Sequence, residues 1–198
     1  MQVLIIFVKN PELGKVKTRI AKTAGNERAL QIYIELMKHT RKIALATDAS
    51  RLLFYSQEIN RADDWSNEDF QKHLQVETDL GGRMSAAFAE AFKSHDKVVI
   101  IGSDCASLTP KIVQEAFDAL DKNDFVVGPT FDGGYYLLGM RNFQPSVFEN
   151  VEWSTESVFP TTIERINALD ASYHLTERLS DIDFEEDWEK YGWTIEEE

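Results

Sequence analysis

Residues 3–8, VLIIFV, carry no polar side chain, and neither do residues 98–101, VVII. Successive side chains of a strand point to opposite faces, so a run without polar residues must be covered on both faces. Such strands belong inside a largely parallel sheet with helices packed above and below it. The rest of the chain supplies matching elements. From Asn26 onward apolar residues recur at 29, 30, 33, 36, 37, 43 and 44, a helical period. Further helices are predicted at 82–92, 109–120, 159–169 and 184–192; Thr109 suits an N-cap and Pro110 a first helical turn. Strands are predicted at 51–56, 97–104, 124–130 and 134–140, and 172–179 reads as partly extended. Residues 57–79 are polar and weakly periodic, which suggests a loop with one short helix. A length of 198 residues with 43% hydrophobic residues suits one domain with its own core.

In sheets of this kind ligands lie beyond the carboxyl ends of the strands. The first such loop is KNPELGKVKTR at 9–19. It gathers Lys9, Lys15, Lys17 and Arg19 against one acid, Glu12, although the chain has 34 acidic and 21 basic residues and a formal charge of -13. Gly14 is its only glycine, so it is neither a dinucleotide fingerprint nor a P-loop. Cations and unpaired backbone amides, running to a helix start near Thr18, suit a diphosphate or triphosphate. A solvated surface turn is the other reading of such a cluster. The overall acidity argues against nucleic acid and anionic membrane as partners. One cysteine rules out an internal disulfide, no apolar run approaches the ~20 residues that span a bilayer, and no signal-peptide pattern opens the chain. The expected location is the cytoplasm.

Ser103 and Asp104 follow the second apolar strand. A carboxylate at a strand end is placed to hold Mg²⁺ or Mn²⁺, which prefer oxygen ligands; a turn or cap is the plainer role. Cys105 has no histidine near it in sequence and reads as a small buried residue. Asp132, Gly133 and Gly134 form either a hairpin turn or a place where backbone approaches a ligand. Asp181 and Asp183 lie two apart before the last predicted helix, which contains Asp187. They suit a helix cap or a second metal-ligand position.

Together KNPELGKVKTRIA, DLGGRM, IGSDCASLTP, GPTFDGGYYLLGM, VEWST and LSDIDFEED, in that order, resemble the GT-A-type nucleotide-diphospho-sugar transferases. More closely, the chain is similar to the bacterial DUF2064 family. The resemblance implies an α/β fold, a three-layer α/β/α sandwich whose mixed, mostly parallel sheet has seven strands, with GYYLLGM antiparallel, in a single GT-A-like domain over residues 1–198. It implies a nucleotide or nucleotide sugar held by Lys9, Gly14, Lys15, Lys17, Arg19, Gly82, Arg83 and Ser103, with Lys17, Arg19 and Asp104 as the catalytic set. Asp132, Gly133 and Gly134 would face an unknown acceptor. Asp104, with Asp183 or Asp181, would hold Mg²⁺ or Mn²⁺. Where the family often reads Cys-Pro-Asp-Leu, this chain has Cys105-Ala106-Ser107-Leu108, one carboxylate fewer. The implied activity is nucleotide-sugar-dependent glycosyl transfer. Alternatives are nucleotidyl transfer of the molybdenum-cofactor or phospholactate type, releasing pyrophosphate, and non-catalytic nucleotide binding.

Overall fold

In the computed structural model, which describes residues 1–195, seven strands form one sheet. They are β1 (Gln2–Val8), β2 (Ser50–Tyr55), β3 (Gln71–Leu74), β4 (Lys97–Ile101), β5 (Phe125–Pro129), β6 (Tyr135–Met140) and β7 (Tyr173–Leu175). Their spatial order is β3-β2-β1-β4-β6-β5-β7. All neighbours are parallel except β6, which runs antiparallel to both β4 and β5, as the resemblance implied. The helices are α1 (Thr18–Ala24), α2 (Asn26–Ala46), α3 (Leu80–Ala91), α4 (Pro110–Ala119), α5 (Val158–Ala168) and α6 (Glu185–Tyr191).

Strand β1 shows why its run is wholly apolar. Leu4, Ile6 and Val8 pack with Tyr33 of α2 and Phe117 of α4 on one face. Val3 and Ile5 pack with Phe88 of α3 and Ile166 of α5 on the other. The period of two thus serves two cores rather than a core and solvent. A third, smaller cluster joins Ile20 of α1, Ile32 and Leu36 of α2, Trp188 of α6, and Ile182 from the segment before α6.

The predicted helix within 57–79 does not form; the segment contains β3. Its four residues, QKHL, are an edge strand with no fully buried side chain. Backbone pairing to β2 holds it, and that leaves no apolar period in the sequence. Trp65 and Phe70 anchor the preceding loop, edge to face at 4.9 Å, both buried. Gly25, with φ +90, separates α1 from α2, where the periodic pattern alone marked only the second.

Trp188 is 3% exposed and fixes α6, and with it the preceding acidic segment, onto α1 and α2. Trp188→Ala should cost about 3–5 kcal/mol, the usual penalty for emptying a buried aromatic site. Urea denaturation reads this directly, and amide exchange should show residues 180–184 losing protection first.

Candidate functional site

Six parallel strands end at one edge of the sheet, and antiparallel β6 begins there. The loops after β1, β2, β3, β4 and β7 and the β5–β6 turn therefore meet at that edge. Every residue singled out in the sequence lies on one of these segments or on the helical turn that follows it.

The first loop turns at Gly14, φ +77, and ends at Lys17, which holds the left-handed conformation (φ 46, ψ 46) just before α1. That conformation is costly for a residue with a Cβ. It sends the Lys17 side chain inward, leaving it 6% exposed. The ammonium pairs with the Asp104 carboxylate and donates to the Ile182 carbonyl at 2.7 Å. The Ile182 amide in turn donates to the Asp104 carbonyl at 2.8 Å. Arg19 Nη1 donates to Asp183 Oδ2 at 2.6 Å, with its guanidinium 5.8 Å from the Phe184 ring. Lys15 turns aside to Glu12, an exposed pair at 2.5 Å. Lys9 is exposed, and its charge acts on Asp104.

Two residues that the sequence reading did not single out hold these loops. The Tyr33 hydroxyl accepts from the Lys9 amide at 2.7 Å, donates to the Lys9 carbonyl at 3.0 Å and lies 3.3 Å from the Ser103 hydroxyl, which is itself buried. Asn10 is 7% exposed; its amide nitrogen donates to the Glu58 carbonyl, and its oxygen accepts from the Gln57 and Glu58 amides. Their only advance signal is weak: Asn10 is polar immediately beyond a buried strand, and Tyr33 occupies a core-facing position of a long helix.

On the other side of the cleft, Asp132 Oδ1 accepts from Thr130 Oγ1 at 2.5 Å and from the Gly134 amide at 3.2 Å. Gly133 has φ +90, and a Cβ there would come within 2.3 Å of the Glu156 carbonyl oxygen. The close approach at Gly133 is thus made by the chain's own backbone. Gly82, at the start of α3, gives its amide to the Asp79 carboxylate at 2.8 Å, and Arg83 Nε donates to the Thr78 carbonyl at 2.7 Å.

Charge is unevenly balanced here. Desolvation opposes ionisation of Asp104, but the Lys17 ammonium, with help from Lys9, holds its carboxyl below the usual range. Asp181 goes the other way. Desolvation first, then the Asp104 charge, push it up to about 7; Lys17 opposes this, and Asp132 and Asp183 add to it. Three aspartates thus raise Asp181 against the pull of one buried ammonium. Cys105 is buried, and its thiol is pushed up to about 12, chiefly by desolvation, as a packing role requires. Among the described residues no three His, Cys, Asp or Glu side chains converge as a ready metal site. The donor set nevertheless fits a hard cation in kind: Asp104 and Asp181 supply oxygens, and their mutual repulsion is what a cation would relieve. Ser107, three residues after Asp104, lines a neighbouring cavity.

The model of a family described as uncharacterised protein conserved in bacteria (DUF2064) matches residues 39–155. That span includes four of the six quoted motifs. A candidate nucleotide-diphospho-sugar transferase from Desulfovibrio desulfuricans G20 is 32% identical, over 92% of this chain and 82% of that one, with a TM-score of 0.86. Two remoter structures show the fold alone. The inositol-1-phosphate CTP transferase from T. maritima is 13% identical over 94% of this chain and 91% of that one, at TM-score 0.64. CMP:2-keto-3-deoxy-manno-octonic acid synthetase complexed with CTP is 10% identical over 96% and 95%, at TM-score 0.57. No curated protein matches the sequence.

The raised Asp181 value sets a pH dependence. Between about pH 4 and pH 7 the native state keeps a proton that the unfolded chain has released, so stability falls as pH rises through this window. The penalty is complete above pH 7. Asp181→Asn should therefore stabilise the protein at pH 8, by about 1–4 kcal/mol, and lose that advantage near pH 4. Denaturant midpoints at both pH values check this; an equal effect at both would contradict it.

Proposed function

We propose, for a chain that belongs to the DUF2064 family, that this strand-end cleft is the active site of a divalent-metal-assisted glycosyltransferase using a nucleotide sugar. One observation carries the reading. The two central ion pairs, Lys17–Asp104 and Arg19–Asp183, each join a phosphate-seeking cation to a metal-seeking carboxylate. A nucleoside diphosphate with its metal ion is complementary to both members of each pair.

In this reading Lys9 and Arg19 face the diphosphate and offset the charge that develops as the sugar C1–O bond breaks. Lys17, buried and fixed by Ile182, sets the position of the Asp104 carboxylate. Asp104, with Asp181 or Asp183, would hold Mg²⁺ or Mn²⁺, which supplies further positive charge at the leaving diphosphate. The acceptor hydroxyl oxygen bonds to C1 as the C1–O bond to the diphosphate breaks, its proton passes to solvent water, and a nucleoside diphosphate leaves. Such chemistry rests on positioning and charge rather than on a protein nucleophile. The cation-rich first loop suits a triphosphate as well, which keeps nucleotidyl transfer as the second reading.

The products separate the two: nucleoside diphosphate for the first, pyrophosphate for the second. Lys9→Ala with Arg19→Ala should weaken nucleotide binding by about 1.5–3 kcal/mol for each charged hydrogen bond lost. Asp104→Asn should retain the fold and lose metal-dependent turnover. Calorimetric titration of a panel of nucleoside diphosphates and triphosphates with and without Mg²⁺, followed by a product assay, tests both. Unchanged affinity in the double variant, or full turnover of the wild type in chelator, would overturn the assignment.

A further inference from the structure

A cavity of about 470 Å³ opens beside the aspartate cluster, within the roughly 300–1,000 Å³ of small-molecule sites. Three chain segments build both places. Asp104 belongs to the cluster and Ser107 to the cavity. Asp132 acts on Asp181, while its neighbour Phe131 lines the cavity. Asp181 belongs to the cluster, and Ser180 lines the cavity. The two sites therefore lie on the same three stretches of chain.

The cavity wall has a particular chemistry. Lys111 and Glu115 from α4, Tyr191 from α6, and Glu177 and Arg178 line it together with Phe131. Phe131 is 67% exposed, a large apolar ring left in solvent, with the Arg178 guanidinium 5.8 Å from its centroid. His174 donates to or accepts from Glu115 at 2.9 Å. Among the described residues the charged groups of Lys111 and Glu177 have no ion-pair partner. Two cations and two carboxylates line the cavity, so its formal charge is zero in a chain of charge -13. That balance disfavours a phosphate or a carboxylate ligand. Unspent donors and acceptors of both signs, arranged round exposed aromatic surface, match a neutral ring with an apolar C–H face and a rim of hydroxyls.

We propose that this cavity is the acceptor subsite and that it takes a polyhydroxylated ring, a sugar, stacked on Phe131 with its hydroxyls toward Glu177, Lys111 and Arg178. The assignment of the ring as acceptor rests on the glycosyltransferase reading; the binding of the ring does not. Replacement of the family carboxylate by Ser107 then has a consequence at the acceptor, since Ser107 is part of this wall.

Saturation-transfer NMR with a panel of methyl glycosides of common hexoses and N-acetylhexosamines tests it on the full chain, with inorganic phosphate as competitor. At least one glycoside should bind the wild type, and Phe131→Ala should weaken it about tenfold or more. Glu177→Gln should weaken it too, and phosphate should not compete. Phe131 is largely exposed, so its replacement should not unfold the protein, which thermal melting checks. No binding across the panel, binding indifferent to Phe131→Ala, or displacement by phosphate would each overturn the proposal. Nucleotide affinity, measured separately, should be the same in wild type and Phe131→Ala. Glycoside binding in a protein that binds no nucleotide would leave the ring subsite standing and remove the glycosyltransferase reading. Nucleotide binding without glycoside binding would do the reverse.

Discussion

The buried ammonium of Lys17 ties the site together. It lies between the Asp104 carboxylate at the end of β4 and the Ile182 carbonyl before α6, so three segments far apart in sequence meet on one charge. Removing an ammonium from water is expensive unless it is paired and hydrogen-bonded, and here it is both. The left-handed backbone at Lys17 is a second cost, of the kind that persists only where surrounding contacts over-determine it. Those contacts are the Ile182 amide on the Asp104 carbonyl, the Arg19–Asp183 pair, and the apolar seat of Ile20, Ile182 and Trp188 beneath them. The acidic segment after β7 is thereby a fixed wall of the cleft.

The same constraint explains the charge of the site. A cation cluster in an acidic chain was legible because it follows an apolar strand, where sheet topology puts ligands. What it does was less legible. The sequence shows four cations. The fold commits them differently: Lys17 inward to Asp104, Arg19 across to Asp183, Lys15 aside to Glu12, and Lys9 outward. Lys15 finds Glu12 three residues away, but no spacing rule gives the fates of Lys17 and Arg19, because Ile182 and Asp183 return 165 and 164 residues later. Arg19 and Asp183 could each be marked as candidates, but their pairing could not.

The sheet illustrates the same boundary. β1, β4 and β5 are legible because burial on both faces excludes polar residues beyond the first position of each strand. β3 is not, because an edge strand is held by backbone bonds that any side chain permits. Gly133 was legible as a special position and its cause was not. The positive φ and the contact with the Glu156 backbone are properties of a loop packed against a turn, and that loop also places Trp153 against Gly81 at the start of α3. Thus residues 151–156 brace both the β5–β6 turn and the start of α3, and this stretch carries packing as much as chemistry. The cavity around Phe131 had no signal at all, since its lining comes from four separate stretches of chain.

The pairing of acids with cations bears on how the proposed ligands would enter. A nucleotide without metal meets Lys9 and Arg19, but also the charges of Asp104, Asp183 and Asp132. A metal ion without nucleotide meets oxygens already engaged by Lys17 and Arg19. Each alone must break a pair and leave one member uncompensated, which in a partly desolvated site costs more than in water. Together they satisfy both members of each pair. The two ligands are therefore expected to bind with positive coupling, and by linkage the metal raises nucleotide affinity by the same factor as the nucleotide raises metal affinity. The raised Asp181 acts in the same direction. Its proton is held by desolvation first and by the Asp104 charge second, and a cation bound by the two carboxylates would expel it.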